Sequence, residues 1–496
     1  IVSLIRRGSS GWAWVFWAAV FAVIGYVLYQ MANNSSSSSG GFSGGSFGGG
    51  SSGGGGVVLG NFQGTATQSI TVQGNMSITT NNSTITDDTF SSPLVIGAVT
   101  LNTVSSGLGG ASATINSAAA NPNGQVTGRF GQLNANLGTG SLTYSENTQV
   151  NLGNITANGG TIRSVNSDIV INGNVTMTSG VTFNASTGSI SENTGFLNLG
   201  STATFNSSNS FGINLSNTTN VFGGTVTVIN GLNDIIVSNS NLTVVAGNVT
   251  APSAAGTNGG LFLTTVNQAG NNQIQFNAGN LTRAVVNSAG KVLITGGTYG
   301  NVSITANSTA ADAITNTSNF TINNTFTLST PGNVVIGSTS GTLATSVANI
   351  TGNVVLANIT GDVVVNSIRN LTISGNTAGN LTASAGVGNG VGQSFSNQWN
   401  LFLGNLSARS LQATAWNGGA LVSSFPDAGN GISGNITQLA NSVLHIENPA
   451  TERVACSVSL LALCGNAIGA SQDALQACQQ LAGKERLADI VVGADL

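Results

Sequence analysis

Apolar and polar positions alternate in short runs along the middle of the chain. The apolar pairs that show it are Ile169 and Ile171, Val175 and Met177, Val181 and Phe183, Ile213 and Leu215, and Val226 and Val228. Each pair encloses one residue, and turn formers such as Asn172-Gly173 and Ser179-Gly180 separate the groups. A period of two directs one row of side chains inward and the next outward, so the pattern predicts short β-strands.

One four-residue phrase, Gly-Asn-aliphatic-Thr/Ser, returns through the chain, with Ala in place of Gly at Ala348 and Ala357. Several spacings between its asparagines fall near one value, which suggests a repeat of about 20 residues: Asn154 to Asn174, Asn280 to Asn301, Asn349 to Asn370 and Asn358 to Asn380. A repeat of this length cannot bury its own apolar face and must stack on its neighbours. We therefore expect an all-β fold, a parallel β-solenoid of degenerate coils over residues 57–446.

Composition narrows the class of protein. Charged residues make up 5% of the chain and apolar residues 40%, whereas disordered chains combine high charge with low hydrophobicity. The chain has 69 Gly and 6 Pro, which suits many tight turns between strands that need their backbone donors. With 11 basic residues and a net charge of −4, a nucleic-acid partner is not expected.

Residues 1–32 read as a transmembrane or signal helix. The uncharged run 11–29 follows Arg6 and Arg7, and nineteen helical residues span about 28 Å, close to the hydrocarbon thickness of a bilayer. Such a segment is either a retained membrane anchor or a cleaved signal peptide. Both alternatives export the remainder, so we expect an extracellular or cell-surface location.

Two further segments flank the solenoid. Residues 33–56 are rich in Ser and Gly and are predicted to be a flexible linker. Residues 447–496 lose the Asn/Thr repeats and are predicted to form a partly helical C-terminal cap, with Ser471 as a helix N-cap. This segment carries the cysteines, of which two could form a disulfide or all three could remain thiols: Cys456, Cys464 and Cys478.

Candidate chemistry is sparse. The single histidine, His445, and the absence of a Cys-x-x-Cys spacing give no pattern for a metal site, a Ser-His-Asp triad or a cofactor site. The carboxylates of the predicted solenoid are scattered: Asp87, Asp88, Glu146, Asp168, Glu192, Asp234, Asp312, Asp362 and Asp427. No catalytic residue is therefore predicted, although stacking of coils could bring distant acids together.

The repeated phrase also matches the N-glycosylation sequon, with candidate acceptors at Asn154, Asn174, Asn248 and Asn280. The alternative is structural. Asn and Thr two positions apart share the outward face of a strand, and a chain rich in both contains many sequons without selection for sugar.

Four segments read SDIVINGNVTMTSG, NASTGSISENTG, NDIIVSNSNLTVVAGNVT and ITGNVVLANITGDVVV, and residues 121–124 read NPNG. In repeat style the segments resemble the filamentous-haemagglutinin-type surface adhesins, and NPNG is similar to a motif in the secretion domain of that family. The resemblance covers residues 150–385. It implies a secreted, right-handed parallel β-helix that attaches to host or neighbouring cells or contributes to a biofilm, and it names no catalytic residue.

These observations predict an exported cell-surface adhesin or stalk that is not an enzyme. Its expected partners are host-cell or matrix glycans or proteins, the membrane through residues 11–29 if these are retained, and further copies of itself. The alternatives are a β-helix enzyme that degrades polysaccharide and a self-assembling matrix or filament subunit.

Overall fold

The structure is a computed structural model, and two compact units divide the chain. Unit 1 comprises Ile1–Gly188 and Asn193–Gly200, and unit 2 comprises Ser189–Glu192 and Ser201–Leu496. The residues that the structure describes are 46–49, 57–59, 71–72, 74–87, 94–104, 110–116, 129–208, 210–229, 232–249, 260–268, 271–337, 346–386, 399–415, 436–446 and 453–454. Over these ranges the regular structure is strand, without a helix, which confirms the predicted all-β fold.

The strands of unit 1 are β1 (Ser46–Gly49), β2 (Val57–Leu59), β3 (Thr71–Val72), β4 (Met76–Thr80), β5 (Ile85–Asp87), β6 (Leu94–Asn102), β7 (Ala113–Asn116), β8 (Arg129–Asn136), β9 (Leu142–Glu146), β10 (Val150–Ala157), β11 (Gly160–Ser164), β12 (Ile169–Ile171), β13 (Val175–Met177), β14 (Val181–Ala185) and β16 (Leu197–Leu199).

The strands of unit 2 are β15 (Ile190–Glu192), β17 (Ala203–Asn206), β18 (Ile213–Leu215), β19 (Val221–Phe222), β20 (Thr225–Ile229), β21 (Asn233–Ser238), β22 (Leu242–Val249), β23 (Gly260–Thr265), β24 (Ile274–Ser288), β25 (Val292–Ala306), β26 (Ile314–Asn316), β27 (Phe320–Ile322), β28 (Thr325–Thr330), β29 (Val334–Ile336), β30 (Ala348–Ile350), β31 (Asn353–Ile359), β32 (Val363–Ser367), β33 (Leu371–Thr377), β34 (Asn380–Ala385), β35 (Leu401–Ala408), β36 (Ser410–Ala415), β37 (Ile436–Gln438), β38 (Leu444–Ile446) and β39 (Arg453–Val454).

The strands of unit 1 pair in parallel, and over residues 133–199 the aligned residues lie about one repeat apart. Strand β11 lies between β9 and β14, so that Ile162 is aligned with Tyr144 on one side and Phe183 on the other. Strand β13 pairs with β10 through Val175 and Ile155, the residues that directly follow Asn174 and Asn154 in the sequence. The predicted spacing from Asn154 to Asn174 is therefore a true structural register.

The strands of unit 2 also pair in parallel, but their offsets vary. Ile274 of β24 is aligned with Val292 of β25, whereas Phe326 of β28 is aligned with Val354 of β31, a clearly longer step along the chain. Longer connections between strands account for the difference. Three predicted spacings are also wrong as registers, because the aligned residues lie closer together in the sequence than predicted: Asn301 is aligned with Arg283 rather than Asn280, Ala348 with Ser367, and Ile359 with Thr377.

The core consists of the inward rows of these strands. All ten residues of the five apolar pairs singled out in the sequence are buried, with 4% exposure or less. Aromatic rings pack beside the aliphatic rows, as Phe130 does on Tyr144 in unit 1 and Phe276 on Tyr299 in unit 2, each with ring centroids 5.6 Å apart. Burial of these rows is the main favourable term in folding, since each fully buried aliphatic or aromatic side chain contributes roughly 1.5–3 kcal/mol.

Close approach of the backbone explains one of the many glycines. At Gly352, just before β31, an added Cβ would overlap the carbonyl oxygen of Asn324. The amide of the next residue, Asn353, donates to that same oxygen at 2.7 Å. Any larger residue at position 352 would have to break this contact.

The flanking predictions lie mostly outside the described residues, including the helix within residues 1–32. Strand β1 falls inside the predicted flexible linker and pairs in parallel with β4, and strand β39 falls inside the segment predicted to be partly helical. Each of these two segments forms a strand because it pairs with another strand, and that pairing cannot be predicted from the local composition. A search of the described ranges for a helical segment that could span a bilayer finds none.

Candidate functional site

A concavity of about 690 Å³ lies on unit 2, where strands β24, β25, β27 and β30 run side by side. Five polar side chains line it: Asn277, Thr298, Asn319, Thr321 and Asn349. Small and apolar residues complete the lining: Ala278, Gly279, Gly297, Phe320, Val347 and Ile368. The lining contains amides and hydroxyls and no ionisable side chain.

The middle of this concavity is a ladder of outward side chains. Thr321 of β27 is aligned with Thr298 of β25 on one side and Asn349 of β30 on the other. Their neighbours along each strand point inward, so Tyr299, Ile322 and Ile350 form the buried row beneath. We call Thr298, Thr321 and Asn349 the polar ladder. Adjacent strands are about 4.8 Å apart, so the ladder extends roughly 10 Å across the strands.

Hydrogen bonds hold part of the ladder in place. The Asn349 Nδ2 donates to Thr321 Oγ1 at 3.4 Å, and the backbone amide of Val347 donates to Asn319 Oδ1 at 2.7 Å. The Asn349 Oδ1 is buried and has no hydrogen-bond partner. A buried acceptor without a donor costs about 1–3 kcal/mol, so this amide retains an unused capacity to accept a hydrogen bond.

Backbone conformation requires a glycine at the end of the concavity on β25. Gly297 has a φ of 116°, which side chains rarely adopt. A Cβ at this position would meet the carbonyl oxygen of Ala278 and the hydroxyl of Tyr299. That hydroxyl donates to the carbonyl oxygen of Gly296 at 2.6 Å. The glycine therefore leaves room for the buried, hydrogen-bonded hydroxyl of Tyr299, which follows the first ladder residue, Thr298, along β25.

None of the residues that line this concavity is a carboxylate. Among the described residues, no group of three or more His, Cys, Asp or Glu side chains comes together as metal ligands would. Two of the acids form exposed ion pairs, Asp312 with Lys291 at 2.6 Å and Asp362 with Arg409 at 3.8 Å. Asp88 and Asp427 lie outside the described residues.

Three other acids are removed from solvent to different degrees. Glu146 is fully buried, where Tyr144 Oη and the backbone amide of Phe130 donate to its Oε1. The loss of solvent and the neighbouring carboxylate raise the pKa of the Tyr144 hydroxyl well above its usual value. Thr148 Oγ1 also donates to the Glu146 Oε2 at 3.4 Å, so these groups form a polar cluster inside unit 1.

Asp234 and Glu192 both have strongly raised pKa values in unit 2. Desolvation raises the pKa of Asp234 to about 7, against the lowering effect of the Ile213 amide that donates to its Oδ1 at 2.9 Å. Desolvation likewise raises the pKa of Glu192 to about 7, although the Asn217 amide and the Asn220 side chain both donate to its Oε2. Each carboxyl keeps one buried oxygen without a partner.

The four predicted sequon asparagines form two pairs, each on neighbouring repeats or strands. Asn154 and Asn174 are exposed, and Asn154 Oδ1 accepts a hydrogen bond from the Asn174 amide at 3.0 Å. The Asn154 amide in turn donates to Asn134 Oδ1 at 2.9 Å, so the three asparagines form a ladder across successive repeats. Asn248 and Asn280 are aligned neighbours in β22 and β24. Glycosylation of these four residues stays a prediction.

The remaining predicted residues do not gather into a site. His445 lies exposed on β38 opposite Ser407, and Cys456, Cys464 and Cys478 lie outside the described residues.

The polar ladder was not predicted from the sequence. The local pattern marks its members as outward-facing, as for Thr321 between the apolar neighbours Phe320 and Ile322. The two steps along the chain, from Thr298 to Thr321 and from Thr321 to Asn349, are unequal, so no repeat spacing shows that the three residues are adjacent.

Comparison with known proteins gives no relative for this chain, since no protein-family model, no curated protein and no solved structure matches it.

Proposed function

We propose that this chain is an exported, right-handed parallel β-helix that acts as a cell-surface adhesin or stalk rather than as an enzyme. The observation that carries the proposal is the contrast between the two faces of the strands. In strand β28, for example, the inward residues Phe326 and Leu328 are apolar and fully buried, whereas the outward residues are Thr325, Thr327 and Ser329. A stack of this kind presents a neutral hydrogen-bonding surface.

The arrangement of the described acids supports binding over catalysis. Cleavage of a glycosidic bond between two carboxyl groups requires them to face one another across the bond, at about 5–10 Å. Asp234 points into the core and is fully buried, and Asp312 and Asp362 are occupied by basic partners on the surface. Export follows from the predicted anchor or signal segment at residues 11–29, and attachment to cells or matrix from the adhesin resemblance of the repeats.

The full-length exported protein, coupled to beads, tests this proposal. We expect saturable attachment to cells or to surfaces coated with matrix glycans or proteins, with no reducing sugar released from the same polysaccharides. Release of sugar ends without attachment would overturn the proposal in favour of the polysaccharide-degrading enzyme.

One observation favours a second candidate, a self-assembling filament or matrix subunit. Leu444 of β38 is aligned with Leu406 of β35, yet Leu406 is 3% exposed and Leu444 is 36% exposed. Nearby, Leu439 and Val443 are also exposed, Val443 at 68%. The exposed apolar side chains at β38 therefore form a surface on which a strand of another copy can stack.

Electron microscopy and light scattering over a range of protein concentrations test the second candidate. Polymers that Val443→Asp abolishes would support it. The control is Val245→Asp, which changes a residue of β22 that is 40% exposed within the stack of strands. A monomer at all concentrations would exclude the filament role.

A further inference from the structure

We propose that the concavity on unit 2 is a binding site for a neutral saccharide, with the polar ladder of Thr298, Thr321 and Asn349 as its contact surface. This inference rests on the proposed adhesin function, because it names the ligand class and the place where the ligand is held. Three properties of the concavity support it: the composition of the lining, the spacing of the ladder and its unused hydrogen-bonding capacity.

The lining matches a ligand that carries many hydroxyl groups and no charge. Amides offer both donors and acceptors, and each threonine hydroxyl can donate one hydrogen bond and accept two. Asn277 and Asn319 stand beside the ladder and widen this surface. An ionised ligand would gain little here, because no lining side chain carries the opposite charge. An apolar ligand would leave the polar groups of the lining without partners.

The spacing of the ladder suits a chain of sugars. Thr298, Thr321 and Asn349 are aligned on neighbouring parallel strands. Their separation of about 4.8 Å is close to the length of one sugar residue in an extended polysaccharide. A saccharide lying across the strands can therefore place successive hydroxyl groups over successive rungs. The volume of about 690 Å³ lies within the range of small-molecule sites.

The ladder is also incompletely hydrogen-bonded. Asn349 Oδ1 is buried without a partner, and the bond from its Nδ2 to Thr321 Oγ1 is long at 3.4 Å. If the Asn349 amide turns over and gives up this long bond, its oxygen faces the concavity that the residue lines, where a ligand hydroxyl can donate to it. The corresponding amide at the rim, Asn319, already accepts from the Val347 backbone and is held in place.

The nearest basic residue in the sequence gives the main competing explanation. Arg369 follows the lining residue Ile368, and its guanidinium lies over the Trp399 ring at 5.6 Å from the centroid. If Arg369 dominated recognition, sulfated or carboxylated glycans would bind more tightly than neutral ones, and added salt would weaken their binding. The polar ladder predicts the opposite preference.

The experiment measures binding of the full-length protein to an array of neutral and sulfated oligosaccharides, followed by calorimetry on the best neutral ligand. We expect neutral oligosaccharides of three or more sugars to bind, with little dependence on salt. Thr321→Val keeps the side-chain shape and removes the central hydroxyl, so its affinity is expected to fall about tenfold, as for the loss of one or two neutral hydrogen bonds. Thr298→Val is expected to act in the same direction.

A matched control comes from unit 1. Thr143, Thr161 and Thr182 form an outward ladder of the same kind on β9, β11 and β14, and none of them lines the concavity. Thr161→Val should leave the affinity unchanged, and thermal unfolding should show that all the variants remain folded.

The outcomes separate the site from the adhesin function. Cell or matrix attachment that survives Thr321→Val and Thr298→Val undiminished, with no neutral glycan bound, overturns the saccharide site and leaves the adhesin function standing. Loss of affinity in Thr161→Val equal to that in Thr321→Val also overturns the site, because it shows an effect of any outward threonine. A preference for sulfated glycans that Arg369→Gln removes overturns it in favour of the basic residue.

Discussion

At the scale of single residues, the most unusual groups are carboxyls at inward strand positions, where the other strands have apolar side chains. Asp234 occupies an inward position of β21, in the same row as Ile236, and is fully buried. Its Oδ1 accepts one backbone hydrogen bond, while its Oδ2 has no partner. Because burial without a counter-charge favours the neutral acid, the protonated form is the one that fits this position.

Asp234→Asn is expected to make the protein more stable at high pH. The pKa of Asp234 is raised from its ordinary 3.8 to about 7 in the folded protein, so the folded state binds more protons than the unfolded state between these values. The free energy of unfolding of the wild type therefore falls as pH rises from about 4 to above 7. Asparagine cannot ionise, so the variant should gain on the order of 3 kcal/mol at about pH 8 and be nearly unchanged at about pH 4.

Urea denaturation at several pH values measures this effect. Glu192, whose pKa is also about 7, should leave a smaller pH dependence in the variant. Asp312→Asn is the control, because this acid is exposed in a surface ion pair, which contributes at most about 1 kcal/mol. Equal pH profiles for wild type and Asp234→Asn would contradict the assignment.

Asn154→Ala is expected to weaken unit 1 by about 1 kcal/mol, since the Asn174 amide then loses its acceptor. Asn154→Asp keeps an acceptor oxygen at the same place and should be close to the wild type. Both changes destroy the sequon equally. Chemical denaturation of protein made in a host without N-glycosylation separates the two roles, and equal losses in both variants would argue against the ladder.

At the scale of elements, strand identity and strand partnership have different origins. The alternation of Ile169-Val170-Ile171 suffices to predict a strand and its inward face, and both predictions are confirmed. The partner depends on the length of the connection, which in unit 2 is short between Ile274 and its partner Val292 and much longer between Leu406 and its partner Leu444. Where the backbones of two strands come close together, as at Gly352 beside Asn324, only a small side chain fits.

Gly352→Ala is expected to destabilise unit 2 by several kcal/mol, because the new methyl group overlaps the Asn324 carbonyl oxygen and the strand must move away. Gly74→Ala is the matched control, since a Cβ at Gly74 meets no atom within 4 Å. Thermal unfolding followed by circular dichroism measures both. A small effect at Gly352 would mean that β31 can shift without loss of its pairing with β28.

At the scale of the whole molecule, stability comes from stacking rather than from charge. Charged residues are 5% of the sequence, and the two ion pairs among the described residues, Lys291–Asp312 and Arg409–Asp362, are both solvent-exposed. Exposed pairs contribute little because water and salt screen them. The buried rows and the backbone hydrogen bonds between parallel strands are insensitive to that screening.

The free energy of unfolding is therefore expected to change by less than about 1 kcal/mol between ~0.05 and ~0.5 M NaCl. Sodium sulfate at the same ionic strength should raise it, because sulfate is excluded from the protein surface and favours burial. Denaturation with urea, which carries no charge, is the appropriate measurement. A strong decrease with NaCl would show that charge pairing contributes more than the composition indicates.

The sequence by itself determined the all-β class, the inward rows and the outward polar faces, because the period of two is a local property of each strand. It also indicated the repeat length that holds between Ile155 and Val175. These features follow from side chains a few positions apart and, over residues 133–199, from connections of similar length.

Only the tertiary structure decided which strands are neighbours, because loop length is free to vary while each strand still finds a parallel partner. Thr298, Thr321 and Asn349 are adjacent through unequal connections, and so the polar ladder could not be read from spacing. The depth at which Asp234 lies and the missing partner of its second oxygen are likewise set by the strands packed around it.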